Sequence, residues 1–401
     1  MWKKRVALGL VVMMAFAGCS SSAGDVSSMP LEGNITSSAA PSIDQEAPGH
    51  FTEGGEGGLK IAIVTSPSDV NDGSFNQDNY EGILAFLEGH PDASVTAVQE
   101  PTGEAEASVQ AVSEIATDYD VIVAPGTQFA KIGVVAQEHP DTHFILVDVF
   151  PTDAQGQEVT LDNLYSMQFA GQESGFFAGV AAALSTVTNE VAVITGVAYP
   201  SNVDYQYGFE AGVNYANAHY GTTAQAVELP AYAGTDVTGA NVGGNYVGSF
   251  NNATAGKEVG NALMKEGCDI LFVAAGHSGR GVFEAVKENG TVKVIGCDVD
   301  QYDEGENDDG NIVLTSVWKA MGANVERVLE EIQNGNFQGG NVILSADTDS
   351  TGYVREEGRQ QLSENALAKL DEVYMLVQDG AIVPPSNFSE GSTPEDFPGL
   401  S

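Results

Sequence analysis

Residues 246–301 constrain the fold more than any other stretch: YVGSFNNATAGKEVGNALMKEGCDILFVAAGHSGRGVFEAVKENGTVKVIGCDVDQ. Thr254 stands where an N-cap belongs, ahead of a helix with apolar Val259, Ala262 and Leu263, and Gly267 suits the end of that helix. An apolar run of strand length occupies 269–275. A glycine turn follows (Gly276, Gly279, Gly281), then a helix at 282–288 stopped by Asn289-Gly290, then an apolar strand at 292–296 that leads to Asp298. Strand, helix and strand within about 30 residues make a βαβ unit, and continuous apolar strands suit a parallel sheet covered on both faces.

Ligands of such sheets lie beyond the carboxyl ends of the strands, which is where both the glycine turn and Asp298 fall. Glycines let a backbone approach a ligand, and a carboxylate can accept from two sugar hydroxyls. The plainer reading is that the glycines make only a tight turn and Asp298 only caps it. A dinucleotide site needs G-x-G-x-x-G, whereas this turn runs G-x-x-G-x-G, so that fingerprint fails.

The 401 residues, 42% hydrophobic, suffice for two packed domains. Residues 1–18 read as a targeting segment: Lys3, Lys4 and Arg5 precede an apolar core at 6–17 too short to span a membrane. Cys19 ends a lipobox-like FAGC, the site of acylation in bacterial lipoproteins; an ordinary export signal is the alternative. Its removal would leave 12 basic residues against 56 acidic ones. That balance excludes nucleic acid, whose phosphates need clustered Lys and Arg, and favours a neutral or weakly charged solute. Cys268 and Cys297 are expected as buried free thiols, although a bond between them is conceivable in an exported protein. The His residues show no zinc spacing: Pro140 keeps His139 and His143 off a shared helical face. The acidic loop after Asp298 has Tyr302 and Asp303 where a calcium loop needs an acid or amide and a glycine, so it reads as solvated. No metal and no cofactor are expected.

In chain order, residues 19–58 are a Ser-, Gly- and Pro-rich tether. A first Rossmann-like lobe follows, with strands at 60–65, 94–99, 119–124 and 142–147 and helices at 79–87, 104–117 and 131–138. Asp72, Phe75 and Asn76 lie in the turn after its first strand, and Asp148 ends its fourth; Phe75 could equally be a staple for the helix. A second lobe is expected to have strands at 163–169, 190–195, 224–229 and 246–250, and helices at 173–184 and 205–219. Strand 312–316 and a helix at 317–333 that carries Lys319 come next, then a strand at 341–345 and a helix at 363–379. The lobes are drawn as 59–165 with 317–340, and 166–316 with 341–383, leaving a polar tail at 384–401.

DGSFNQ at 72–77, QESGFFAGVAAAL at 172–184, YQYGFEAGV at 205–213, YVGSFNNATAGKE at 246–258, GHSGRGVFEA at 276–285, IGCDVDQ at 295–301 and LTSVWKA at 314–320 form an ordered series. With the lipobox-like start and the strand ending at Asp148, they resemble the basic membrane protein (Bmp) family of lipoproteins over roughly residues 59–352. These are substrate-binding proteins of ABC transporters, and some of them bind purine nucleosides. The resemblance implies a type I periplasmic-binding-protein fold, an α/β arrangement of two Rossmann-like lobes with parallel sheets around a ligand cleft and three connecting strands. It implies a monomer, lipid-anchored on the extracytoplasmic face of the cell membrane, that hands a nucleoside to a membrane permease and catalyses nothing. By the same resemblance Phe75 stacks on the base from one lobe and Tyr205, where the family has Phe, from the other. Asp72 and Asn76 match base-side contacts, Asp298 the ribose carboxylate, and Asp148 and Lys319 further sugar partners; Gly276 comes from the glycine turn. Two departures, PGTQFA at 125–130 and His277 in place of Gly, fall near the expected cleft.

Two other functions fit parts of the pattern. One is a binder of another small solute, a sugar or a signal molecule. The other is an exported nucleoside hydrolase, against which stand the lack of an early aspartate cluster or nucleophile elbow in the sequence. Asp298 and Asp300 are no glycosidase pair, since residues two apart on an extended segment face opposite ways.

Overall fold

A computed structural model describes residues 50–308, 310–388, 393, 394 and 397. The leader, Cys19 and the tether as far as residue 49 lie outside the described residues. In chain order the elements begin β1 (His50–Gly54), β2 (Lys60–Thr65), α1 (Phe75–Gly89), β3 (Ser94–Gln99), α2 (Ala105–Ile115), β4 (Val121–Pro125), α3 (Ile132–Glu138), β5 (His143–Val147) and β6 (Leu164–Phe169). Then come α4 (Gly171–Ser185), β7 (Glu190–Thr195), α5 (Pro200–Tyr220), β8 (Gln225–Ala226), β9 (Gly234–Thr235), β10 (Asn241–Gly243), α6 (Ala253–Lys265), β11 (Ile270–Ala274), α7 (Gly279–Asn289) and β12 (Lys293–Gly296). The chain continues through β13 (Glu306–Asn307), β14 (Gly310–Asn311), β15 (Val313–Lys319), α8 (Met321–Gln333), β16 (Gly340–Leu344), β17 (Thr351–Tyr353) and α9 (Glu364–Gln378).

Among the described residues, the larger sheet has the order β1-β3-β2-β4-β5-β6-β16 and the second β17-β15-β12-β11-β7-β8. Alternation along each strand covers both faces. In β2, Ile61 and Ile63 join the core beneath α1 and α8, while Ala62 and Val64 join the core beneath α2 and α3. In β11, Ile270, Phe272 and Ala274 pack toward α4, α5 and α9, and Leu271 and Val273 toward α6 and α7. This is the doubly covered pattern that the apolar runs demand. The sheets are mixed rather than wholly parallel, because β1 and β17 pair antiparallel at their edges.

The chain passes between lobes after β6, after β15 and after β16, giving the expected three connections. The passages lie at strand ends, not at 165/166, 316/317 and 340/341: those positions fall inside or beside β6, β15 and β16, which hydrogen bonding holds whole within one sheet. Lys319 therefore ends β15 instead of riding on a helix, since α8 begins only at Met321. The globular part also begins before residue 59, because β1 pairs with β3 from His50↔Val98 to Gly54↔Ser94. Nor do the described residues after 383 lie apart from the fold. Ser386 and Asn387 donate to Asp204, Pro394 accepts from Asn214, and Phe397 meets Phe176 edge-on.

Smaller differences have local causes. Asn252, not Thr254, caps α6, its side chain accepting from the N–H of Ala255. The helix expected at 205–219 starts at Pro200, whose fixed φ suits the first helical position. The strand expected at 246–250 is reduced to one bridge between Thr195 and Tyr246. Helices α4 and α5 meet backbone to backbone. A Cβ on Gly175, Gly179, Gly208 or Gly212 would fall 2.0–2.3 Å from a carbonyl oxygen of the facing helix. No helix among the described residues is long and apolar enough to cross a membrane.

Candidate ligand-binding site

The strand ends of both sheets face one cavity, part of whose space opens to solvent. All eight residues marked in the sequence line it: Asp72, Phe75, Asn76, Asp148, Tyr205, Gly276, Asp298 and Lys319. Of the departures from the family pattern, Gly126, Thr127 and Gln128 also line it, and His277 does not.

Asp148 follows β5 and Asp298 follows β12, and both have left-handed backbone, with φ of 64° and 71°. That conformation is uncommon outside glycine and is best tolerated by Asp and Asn. It turns the chain sharply at the strand end, and both side chains are buried beside the cavity. Asp148 forms an ion pair with the buried Lys319 ammonium. Burial alone would push the Lys319 ammonium down, but Asp148 and Asp298 outweigh it and hold the group above its ordinary value. The ammonium also lies 4.6 Å from the centre of the Tyr205 ring and 6.0 Å from that of Phe75.

Asp298 has hydroxyl partners instead. Tyr205 Oη donates to one oxygen and Ser74 Oγ to the other, each at 2.8 Å. Burial, then the Asp298 charge, raises the Tyr205 phenol well above its ordinary value, so it remains a donor. Cys297, next to Asp298, is a buried free thiol raised by the same two causes, and Cys268 is likewise free and buried.

Asp72 lines the cavity, but its oxygens accept from the backbone N–H groups of Ser74, Asn76 and Gln77 at 3.0–3.1 Å. It closes the first turn of α1. Burial raises its carboxyl to about 6 against those bonds. Asn76 donates to the Ser68 carbonyl at 3.2 Å. Ser74 belongs to a loop that ties the lobes together: Arg280 donates to the Asn71 carbonyl and Gln301 to the Gly73 carbonyl.

The aromatic surface differs from the expected one. Phe75 is half-buried at the cavity. Tyr205 is only 3% exposed, lies against the Lys319 ammonium and meets Phe272 edge-on. Half-buried rings on the second-lobe side come from Tyr199 and Phe250, stacked at 5.9 Å and 29°. Sequence reading passed over both, one lying between the strand at 190–195 and the helix at 205–219 and the other in the strand at 246–250. Pro200 was the available signal, since a helix starting there places Tyr199 at its cap. Ser74 and Gln128 were also missed as site residues. Gln128 donates to the Ser66 carbonyl at 2.7 Å beside the cavity.

Two lobes with this strand order around a polar and aromatic cavity make the α/β fold of the type I periplasmic binding proteins. The fold matches the crystal structure of an ABC transporter solute-binding protein from Aeropyrum pernix K1 with a TM-score of 0.69. That match covers 83% of this chain and 94% of the other at 19% identity, and so speaks to fold alone. The chain belongs to the Bmp family, ABC transporter substrate-binding protein PnrA-like, whose model matches residues 59–228 and 238–373. It is 30% identical to the "CD4+ T-cell-stimulating antigen" of Listeria monocytogenes, with 81% of this chain and 87% of that one covered. It is 28% identical to the "ABC transporter nucleoside-binding protein BmpA" of Lactococcus lactis, with 82% and 89% covered. The protein is thus a substrate-binding component of an ABC transporter, extracytoplasmic and membrane-associated as its family is, and not an enzyme.

Proposed function

We propose that the protein captures a nucleoside, with a purine base preferred, between its lobes and delivers it to the membrane permease. The observation that carries this reading is the juxtaposition in one cavity of half-buried aromatic rings with two buried aspartates and a lysine. A planar base lies well against aromatic faces, and Phe75 on one side with the Tyr199–Phe250 pair on the other supplies them. Sugar hydroxyls are recognised at Asp298, Asp148 and Lys319. Asn76 and Gly276 line the same cavity from the two lobes, and Asp72 acts there chiefly by holding the first turn of α1. The Lactococcus lactis relative, named a nucleoside-binding protein, supports the nucleoside. Ligand that touches both lobes favours their closure by its differential contacts.

Cys19 is proposed as the acylated N-terminus of a monomeric mature chain, with residues 1–18 removed. Mass spectrometry of the membrane-extracted protein should find a lipid-bearing Cys19, and an unmodified leader would refute it. Calorimetric titration with inosine, guanosine, adenosine, cytidine and ribose tests the ligand. Tight one-to-one binding of a nucleoside with ribose silent is expected. Silence for every nucleoside in folded protein would transfer the site to another small neutral solute.

A further inference from the structure

A polar site rejects a ligand that lacks a hydroxyl when its own buried group is then left unpaired; the resulting discrimination is roughly 10⁴-fold or more in strict cases. Asp298 is not in that position. Each of its oxygens already has a protein hydroxyl at 2.8 Å, one from Tyr205 in its own lobe and one from Ser74 in the other. Asp148 is likewise matched, by the Lys319 ammonium. These carboxylates therefore have partners whatever sugar enters. A ligand hydroxyl at Asp298 exchanges with, or adds to, a hydroxyl of equal chemistry, and the net gain from such an exchange is small.

We infer that Tyr205 and Ser74 make this site tolerant of the sugar, so that 2′-deoxyribonucleosides are ligands alongside ribonucleosides. The inference rests on the nucleoside reading and narrows it. Tyr205 is the determinant from the second lobe. A phenylalanine there would keep the ring beside Lys319 and remove the donor to one Asp298 oxygen. Ser74 is the determinant from the first lobe, and its bond forms only where the lobes meet. Discrimination then falls to the base, through the aromatic surface and residues such as Gln128.

The test is calorimetry of the full-length protein with inosine and 2′-deoxyinosine, guanosine and 2′-deoxyguanosine, on wild type, Tyr205→Phe and Ser74→Ala, with a thermal melt of each variant. In wild type the ribo and deoxy affinities should agree within about threefold, as expected when no buried acceptor changes its pairing. Tyr205→Phe should widen the ratio to about tenfold or more in favour of the ribonucleoside, because Asp298 then depends on the ligand for a donor. Ser74→Ala should act in the same direction. A wild-type preference for ribose of about 30-fold or more, on the scale of an unpaired buried charge, overturns the inference and leaves nucleoside binding intact. An unchanged ratio in folded Tyr205→Phe also overturns it. Silence toward all four compounds refutes the nucleoside reading itself, and the inference with it.

Discussion

Asp148 and Asp298 each follow a parallel strand, each bends the chain through a left-handed residue, and each faces the cleft. Their partners differ. Asp148 meets a buried ammonium, whereas Asp298 meets two hydroxyls. A charge removed from a buried pair strands its partner at a cost of about 3–5 kcal/mol, while an ordinary hydrogen bond contributes only about 1 kcal/mol net. The first arrangement is a fixed part of the wall, and the second can be remade by an incoming hydroxyl. The strand-end turn is common to both, so only the partner decides whether a site is rigid or exchangeable.

The largest expected effect breaks the fixed side. Lys319→Ala should cost about 3–5 kcal/mol of stability in urea unfolding, because Asp148 keeps its burial and loses its counter-charge. A loss below about 1 kcal/mol would show that water reaches Asp148. Asp298→Ala tests the exchangeable side. It should cost about 1–2 kcal/mol of stability and lower nucleoside affinity by only about 3–10-fold, chiefly through the lost bond that joins Ser74 to Asp298 across the lobes, because a ligand hydroxyl gains little at an acceptor already paired. Unchanged titrations in that variant would remove Asp298 from ligand recognition. Phe75→Ala lies outside both carboxylate systems and should weaken every base alike by about 1–3 kcal/mol. A deficit confined to one base would contradict stacking.

A separate, pH-dependent effect concerns carboxyls whose partners are neutral donors. Burial raises Asp78 to about 7, Asp204 to about 7 and Asp72 to about 6, from 3.8. The folded chain therefore holds more protons than the unfolded chain between about pH 4 and 7, and stability falls as pH rises through that window. Melting should occur roughly 3–6 °C higher at pH 5.5 than at pH 8, and Asp204→Asn should flatten part of that slope. A melting temperature that rises with pH would contradict the burial of these groups.

The sheets were legible because period and apolarity carry them: the strands at 94–99 and 190–195 match β3 and β7 to the residue. Edge strand β1 was not, since HFTEG has no apolar run and only its pairing with β3 makes it a strand. Lys319 was visible as a rare cation but was put on the wrong element, because VWK continues equally well as strand or helix. The eight site residues converge because strand ends converge, which topology dictates. Tyr199, Phe250 and Ser74 could not be read in the same way. Their place depends on how one lobe meets the other and on where a helix begins, and neither leaves a periodic trace.

The glycine seam between α4 and α5 has a consequence for redesign. Helix α5 carries Ser201, Asn202 and Tyr205 to the cavity, and its screw position is set by main-chain contact that admits no Cβ at four places. A mount of that kind neither slides nor rotates when the cavity-facing side chains of its first turns are exchanged. Randomising the cavity-facing positions of its first turns would thus vary ligand preference over an unmoved backbone, the property wanted in a scaffold for solute sensors.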